Sequence, residues 1–343
     1  MSERRLHFGV MGAGAIGCYF GGRLLASQNV DVTFVGRDSL RASLAENGLT
    51  IREFDRDEHI DASRIRFETD PSVLRECDVV LCCVKSGATT EVAETLAGIL
   101  GPETIVASLQ NGVRNPTLLR DKLPNNRVVA GIVTFNVVML ERGLFHHTTS
   151  GPLVLETLNS APDRAWVDAF RQSKVEVQEE DPIAPEQWTK LLVNLNNAVN
   201  ALCGVPTREM ILSRPYRRIV ASVLDEALDV LARAGIRPAK FRGVPLRTMA
   251  FIMKLPTPLV RLVIRAQLRI DPDARSSMWQ DLTRGRLTEV DFLNGEIVNL
   301  AKDNGIDAPL NRRIVELIRN AEEGGQGSPQ LSASALTEAL HVG

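Results

Sequence analysis

Short apolar runs alternate with amphipathic segments along the first half of the chain. The runs at residues 6–11, 30–36, 78–84 and 104–109 have the length and composition of buried strands. Each is followed by a segment with helical periodicity, at 15–27, 38–47, 87–99 and 115–122. Repetition of strand and helix is typical of a parallel sheet with helices on both faces, so the pattern predicts a doubly wound α/β domain.

The pattern changes at DPIAP, residues 181–185. Before it, residues 127–156 predict successive strands that extend the sheet in antiparallel fashion, with a turn near Gly143. A helix over 161–173 and a strand through Val175 and Val177 follow. After DPIAP the periodicity is almost entirely helical, over 186–202, 215–234, 256–269, 289–304 and 308–320. We therefore predict a sheet domain over 1–184, an all-helical domain over 185–321, and a flexible tail over the small, polar residues 322–343.

Composition argues against several classes of function. The 343 residues carry a net charge of −2, which gives no global field to attract nucleic acid or an anionic membrane. No apolar run is long enough to span a bilayer, and the first residues lack the features of a signal peptide. The five cysteines are odd in number and have no metal-ligand spacing. We expect a reducing, cytoplasmic location, with neither a disulfide framework nor a metal site.

A glycine-rich motif lies where the first predicted strand passes into the first predicted helix. In this context GxGxxG is typical of a dinucleotide site, because its glycines permit a tight turn, close approach to a pyrophosphate, and close packing of helix on strand. The helix N-terminus supplies unpaired amides and a favourable dipole for the phosphates. The alternative is a purely structural turn. The motif consists of Gly12, Ala13, Gly14, Ala15, Ile16 and Gly17.

The end of the second predicted strand bears on the choice of cofactor. NAD-preferring sites usually have Asp or Glu there, whereas this chain has Gly36 and Arg37. A guanidinium can pair with a ribose 2′-phosphate in bidentate fashion, so Arg37 favours NADPH over NADH. Two alternatives remain: Arg37 could be an ordinary surface residue, and the neighbouring Asp38 could reach a ribose.

Two further strand ends should converge on the same crevice, because ligands of open α/β sheets bind beyond the carboxyl ends of the strands. Lys85 follows the strand at 78–84, and Asn111 follows the strand at 104–109. Each also has an ordinary explanation, Lys85 as a solvated loop residue and Asn111 as part of an Asn-Gly turn.

The first helix of the second domain reads EQWTKLLVNLNNAVNAL, residues 186–202, and holds four asparagines although asparagine is a poor helix former. At about 100° per residue, Asn194 and Asn197 lie within about 40° of Lys190, away from the apolar side chains. The helix thus predicts one narrow polar stripe. It is either a solvated surface or part of a functional site.

These motifs, in this order, resemble those of the ketopantoate reductase (2-dehydropantoate 2-reductase) family. They are GAGAIG, the VK of CVKSG, the NG of LQNGV, WTKLLVN and SSMWQDLTRGRLTEVDFLNG, and the resemblance runs from about residue 6 to 320. It implies a Rossmann domain, a helical domain like that of 6-phosphogluconate dehydrogenase, and catalysis in the cleft between them. It also implies NADPH-dependent reduction of ketopantoate to pantoate, a step towards pantothenate and coenzyme A.

The resemblance also implies roles for individual residues. Lys190 matches the general acid, Glu289 the residue that bonds the substrate hydroxyl, and Asn194 a residue that contacts the substrate. Ser277 matches the residue that binds the substrate carboxylate, and Arg37 matches the arginine that reads the 2′-phosphate of NADPH. Lys85 and Asn111 match cofactor-side and active-site positions.

The chain departs from the family at one position. The family commonly has a second asparagine eight residues after the lysine, where this chain has Ala198, with Asn197 and Asn200 on either side. We expect Asn197 or Asn200 to make that substrate contact. Two other functions remain open: a related reductase of another 2-oxo or 3-hydroxy acid, and a non-catalytic NADPH-sensing module. The expected partner is a small 2-oxo acid, and the expected assembly is a monomer or a homodimer.

Overall fold

The computed structural model of the protein describes residues 5–53, 56–141, 143–157, 161–263 and 274–341. The chain forms two compact units, Met1–Ile183 and Ala184–Gly343, which divide within the DPIAP segment. None of the helices in the described ranges is long and apolar enough to cross a membrane.

The first unit is built from strands and helices in alternation. Its strands are β1 (His7–Met11), β2 (Asp31–Val35), β3 (Leu49–Glu53), β4 (Arg56–Ile60), β5 (Arg66–Glu68), β6 (Val79–Cys82), β7 (Ile105–Ser108), β8 (Val128–Val133), β9 (Val137–Met139), β10 (Leu144–His147), β11 (Leu153–Glu156) and β12 (Val177–Glu180). Its helices are α1 (Ala15–Ala26), α2 (Asp38–Asn47), α3 (Thr89–Ala97), α4 (Asn115–Lys122) and α5 (Ala161–Gln172).

The main sheet has the strand order β12-β11-β8-β7-β6-β1-β2-β5. Its neighbouring strands are parallel, except for the antiparallel pair β8 and β11. The order reverses at β1, because β2 lies on one side of it and β6 on the other. The connections that follow β1 and β6 therefore run in opposite directions along the sheet. Open α/β sheets bind ligands at the carboxyl ends of the strands at such a point.

Alternate side chains of one strand enter two different cores, one on each face of the main sheet. In β6, Leu81 packs in a core with Phe20 of α1 and Phe170 of α5, whereas Cys82 packs in a core with Leu96 of α3. Because both faces are buried, the strands are almost continuously apolar. The doubly wound sheet predicted from the sequence is confirmed.

A second sheet, of order β4-β3-β10-β9, was not predicted. β3 and β4 form an antiparallel hairpin in a region to which the sequence pattern assigned no element, and β10 pairs with β3 in parallel. The predicted antiparallel extension over 127–156 is therefore only partly correct. β11 does pair with β8 in the main sheet, but β9 and β10 belong to the second sheet, which packs against α1.

Apart from an isolated β-bridge between Phe241 and Val244, the regular secondary structure of the second unit is helical in its described residues. Its helices are α6 (Ala184–Asn194), α7 (Asn196–Cys203), α8 (Thr207–Leu212), α9 (Arg214–Arg233), α10 (Leu246–Lys254), α11 (Thr257–Val263), α12 (Ser277–Thr283), α13 (Asn294–Asp303), α14 (Pro309–Gly324) and α15 (Ala333–Leu340). Residues 264–269 of the helix predicted over 256–269 lie outside the described residues. The all-helical class of this unit is confirmed.

The segment after residue 322 is not the flexible tail that its composition suggested. It contains α15, whose Leu336 and Leu340 are buried and which packs against α9 and α14. Before α15, the Leu331 N–H donates to the Leu202 carbonyl at 2.9 Å, and the Ser328 hydroxyl donates to the Ala201 carbonyl at 2.7 Å. Two apolar side chains at helical spacing suffice to bury this short helix, although small polar residues surround them.

Candidate functional site

The glycine motif forms a tight turn between β1 and α1. Gly12 has a φ of +96°, and a Cβ there would lie 2.7 Å from the Val84 backbone nitrogen. A Cβ on Gly17 would lie 2.5 Å from the Gly12 carbonyl oxygen. At Gly14, by contrast, a Cβ would have no atom of the described residues within 4 Å. Gly12 and Gly17 are therefore required by the fold, whereas the space beside Gly14 is open to a ligand.

The N-terminus of α1 faces this open space with N–H groups that have no partner in the described part of the chain. Gly14 is the N-cap residue and provides no side chain to the helix, and the first turn of α1 contains no acidic residue. The first helical hydrogen bond runs from the Cys18 N–H to the Gly14 carbonyl, at 2.9 Å. The preceding amides, those of Ala15, Ile16 and Gly17, are thus available to an anion, as is typical of a pyrophosphate site.

The end of β2 approaches the same turn. Gly12 and Ala13 both donate their N–H groups to the Val35 carbonyl, at 3.1 and 2.9 Å. Gly36 follows, and a Cβ there would lie 2.9 Å from the Cβ of Ala13. A side chain larger than glycine is therefore excluded beside the turn between β1 and α1. This steric reason, rather than the choice of cofactor, explains why a glycine follows β2.

Arg37 is exposed and is the N-cap residue of α2. Its guanidinium makes no ion pair or hydrogen bond with any of the described residues. The carboxylate of Asp38, in contrast, is paired with Arg41 at 2.6 Å. The Arg37 guanidinium is thus available to an anionic ligand, whereas the Asp38 carboxylate already has a partner.

Lys85 and Asn111 are brought together by their loops. Lys85 is exposed, directly precedes a single 3₁₀ turn (Ser86–Ala88) and follows β6. Asn111 follows β7, and its backbone carbonyl accepts a hydrogen bond from the Ser86 hydroxyl at 3.0 Å. The carboxyl ends of these adjacent parallel strands therefore carry both residues to one edge of the sheet, as the sequence predicted.

Lys190 lies on α6 of the second unit. The preceding residue, Thr189, is buried and anchors the helix, because its hydroxyl lies 3.0 Å from the Pro185 carbonyl and 2.9 Å from the Ala239 carbonyl. The ammonium of Lys190 forms no ion pair with the described residues. Burial lowers its pKa from 10.5 to about 8, and no carboxylate of the described residues offsets this effect. The side chain is only half-buried, so it can still meet a ligand.

The helix predicted over 186–202 is interrupted. α6 ends at Asn194 and α7 begins at Asn196, and the Leu195 N–H bonds three residues back, to Leu192, at 3.3 Å. The side-chain amide of Asn196 donates to the Val193 carbonyl, which an unbroken helix would offer to the N–H of residue 197. The straight helical wheel is thus valid for Lys190 and Asn194, but it cannot be extended to Asn197.

Asn200 is a structural residue. It is completely buried, its nitrogen donates to the Val205 carbonyl at 2.9 Å, and its oxygen accepts from the Ser276 N–H at 2.8 Å. The prediction that Asn200 contacts substrate is therefore not supported. Asn197 is half-buried, and its side-chain amide has no hydrogen-bond partner among the described residues. Asn197 is the better candidate to follow Asn194.

The start of α12 is attached to α7. The Ser276 hydroxyl donates to the Asn197 carbonyl at 3.0 Å. The same hydroxyl caps α12, because it accepts a hydrogen bond from the Trp279 N–H. The next residue, Ser277, is exposed at the first position of α12. The sequence emphasised Ser277, but it missed that Ser276 attaches the start of α12 to the Asn197 backbone of α7.

Glu289 is half-buried and directly precedes a 3₁₀ turn, Val290–Phe292. This segment is fixed to α14, because the Thr288 N–H donates to Glu322 at 2.7 Å and Asp291 pairs with Arg319 at 2.7 Å. Within the described ranges, no cluster of three or more His, Cys, Asp or Glu side chains could hold a metal ion.

The chain matches two family models in succession, "Ketopantoate reductase PanE/ApbA" over residues 8–160 and its C-terminal counterpart over 182–322. A curated 2-dehydropantoate 2-reductase of Halobacterium salinarum is 29% identical over 321 residues, which cover 92% of this chain and 99% of the relative. The solved PanE/ApbA family ketopantoate reductase of Ralstonia eutropha is 30% identical, with a TM-score of 0.79, and covers 94% of this chain and 100% of its own. A D-mandelate dehydrogenase solved with NADH and anilino(oxo)acetate shares the fold at 19% identity, with a TM-score of 0.76 over 93% and 99% of the two chains.

Proposed function

Because the chain belongs to the ketopantoate reductase family, we propose that it is an NADPH-dependent 2-dehydropantoate 2-reductase. One observation supports the proposal above all others. Lys190 has a pKa lowered to about 8, has no ion-pair partner among the described residues, and lies one helical turn from Asn194. A lysine so placed is suited to donate a proton near neutral pH.

The glycine turn fits the pyrophosphate of a dinucleotide. The open space at Gly14 and the free amides at the start of α1 would hold the phosphates, and Arg37 would pair with the 2′-phosphate. When bound, NADPH supplies a hydride for the carbonyl carbon of the substrate. Lys85 and Asn111 would bind the cofactor and substrate at the adjacent strand ends.

In the proposed reaction, negative charge develops on the C2 oxygen of the 2-oxo acid. Lys190 stabilises that charge and then transfers its proton to the oxygen, which becomes the product hydroxyl. Ser277 binds the substrate carboxylate, and Glu289 bonds the substrate hydroxyl. Asn194 and Asn197 contact the substrate through side-chain amides that have no hydrogen-bond partner among the described residues, so an analogue without the matching polar groups would be rejected.

The activity should depend on pH through Lys190. The acid must be protonated, and its pKa lies at about 8, so kcat/KM is expected to be constant at lower pH and to fall as the pH rises through about 8. An ordinary lysine, with a pKa of about 10.4, would keep the rate constant to about pH 10. Initial rates of 2-oxo acid reduction across this range check the expectation. A rate that stays level to about pH 10 would contradict it.

Arg37→Ala should change the choice of cofactor. A charge-assisted bond to phosphate contributes about 1.5–3 kcal/mol, so NADPH affinity should fall about 10- to 100-fold while NADH affinity stays within about twofold. Fluorescence titration with each cofactor measures both constants. Arg75→Ala, at another exposed arginine of the same unit, serves as the control. An equal loss for both cofactors would argue against a 2′-phosphate contact.

A second candidate is a related reductase of another 2-oxo or 3-hydroxy acid, and Ala198 is the observation that favours it. The decisive experiment measures NADPH oxidation by the purified protein with 2-dehydropantoate, other branched 2-oxo acids, and benzoylformate. The proposal expects the highest kcat/KM with 2-dehydropantoate. A higher value with another acid would favour the second candidate, and NADPH binding without turnover of any acid would favour a sensor.

A further inference from the structure

A group of buried polar side chains lies beneath the two loops that carry Lys85 and Asn111. Their relative accessibilities range from 0 to 9%, so water cannot satisfy their hydrogen-bonding groups. We refer to them as the strand-end network. Its members are Ser86, Thr89, Ser108, Gln110 and Asn115.

The hydrogen bonds of the network run in one continuous direction. The Gln110 amide donates to the Thr89 hydroxyl at 2.7 Å, and that hydroxyl donates to the Asn115 side-chain oxygen at 2.8 Å. The Asn115 amide donates to the Ser86 hydroxyl at 3.0 Å, and Ser86 donates to the Asn111 carbonyl at 3.0 Å. Each group has a fixed donor or acceptor role, which sets the orientation of both amide side chains.

Two further hydrogen bonds of Gln110 attach the network to the ends of β6 and β7. The Gln110 amide also donates to the Val84 carbonyl at 3.1 Å, and the Gln110 oxygen accepts from the Ser108 hydroxyl at 3.1 Å. Val84 adjoins Lys85, and Gln110 adjoins Asn111. The backbone next to Lys85 is thus bonded to the buried side chain of Gln110, the residue that precedes Asn111.

The pairing of β6 with β7 does not require the side-chain hydrogen bonds of the network. β6 and β7 are already joined by their backbone ladder, from Val79 and Ile105 to Cys82 and Ser108. The strand-end network begins where that ladder ends. It extends the fixed spacing of the two strands into their loops, where backbone pairing no longer supplies it.

We propose that the strand-end network is a positioning device that holds Lys85 and Asn111 at a fixed separation for the dinucleotide and its substrate. The inference rests on the proposed function for the role of those two residues. Loops that carry binding groups are ordinarily mobile, and a site loses affinity and rate when its supporting residues do not fix it. Thr89 is the central member, because its single hydroxyl connects Gln110 of one loop to Asn115 at the start of α4.

Thr89→Val tests the inference, because valine keeps the shape of threonine and removes only the hydroxyl. We expect the Kd for NADPH to rise and kcat to fall, each by about 10-fold, the lower end of the loss that follows replacement of residues that support metal ligands. Thr89→Ser retains the hydroxyl and should restore both values. Hydrogen exchange of the amides in residues 84–89 and 110–115 should become faster in Thr89→Val.

Thr104→Val is the matched control. Thr104 is also buried and in the first unit, but it lies before β7, at the opposite end of the sheet, and its hydroxyl donates to the Cys77 carbonyl at 3.1 Å. Thr104→Val should lower Tm to the same extent as Thr89→Val, but it should change neither the Kd for NADPH nor the hydrogen exchange of the two loops.

The outcomes separate this inference from the proposed function. Unchanged Kd, kcat and loop exchange in Thr89→Val would overturn the positioning role, as would an equal rise of Kd in Thr104→Val. If the unmutated protein binds no nicotinamide cofactor, the proposed function fails, and faster loop exchange in Thr89→Val alone would still support the positioning of the two loops.

Discussion

Replacing Lys190 with alanine is expected to lower kcat for 2-oxo acid reduction by about 10²- to 10⁴-fold, while NADPH affinity is largely kept. The lysine is the proposed proton donor, and its pKa of about 8 makes it a far stronger acid than an exposed lysine. Its loss also removes a cation that would stabilise the developing alkoxide. The glycine turn that would hold the cofactor belongs to the other unit, so cofactor binding should not change.

Steady-state rates and NADPH titrations of Lys190→Ala measure both effects. Lys302→Ala, at an exposed lysine of α13, is the control and should retain full activity. Lys190→Arg keeps the positive charge, but a guanidinium is a much weaker acid than an ammonium, so this variant should lose the fall in rate near pH 8. Turnover of Lys190→Ala at the unmutated rate would exclude Lys190 as the acid.

Gly14→Val is expected to raise the Kd for NADPH by about 100-fold or more while the protein remains folded. The backbone at Gly14 has a φ of −105°, which other residues adopt freely, and an added Cβ would meet no described atom within 4 Å. The side chain would instead occupy the open space in which the pyrophosphate would lie. Tm should therefore change by only a few degrees.

Two other glycines make this result interpretable. Gly101→Val adds the same side chain at another open position and should change neither Tm nor the Kd for NADPH. Gly17→Ala should lower Tm instead, because its Cβ would lie 2.5 Å from the Gly12 carbonyl oxygen. Unchanged NADPH binding in Gly14→Val would show that the space beside Gly14 does not hold the cofactor.

The first part of the fold was predictable because its signals are local. β1, α1, β2 and α2 begin and end close to the limits set by apolar periodicity, and the steric needs of Gly12 and Gly17 are those that the GxGxxG spacing implies. The second sheet was missed for the opposite reason. Its strands β3 and β10 pair across about ninety residues of sequence, and which strand pairs with which is not a local property of either strand.

The sequence by itself determined the class of fold and the place of the glycine turn, and it identified the lysine and asparagines of the proposed site. Each depends on residues a few positions apart, whose periodicity or steric fit is a local property of the chain. Only the tertiary structure decided which asparagine is free. Asn200 is bonded to Ser276, 76 residues away, whereas Asn197 keeps its side-chain amide unbonded among the described residues. The lowered pKa of Lys190 and the strand-end network were likewise decided by tertiary structure, because burial and hydrogen-bond partners depend on which distant segments pack together.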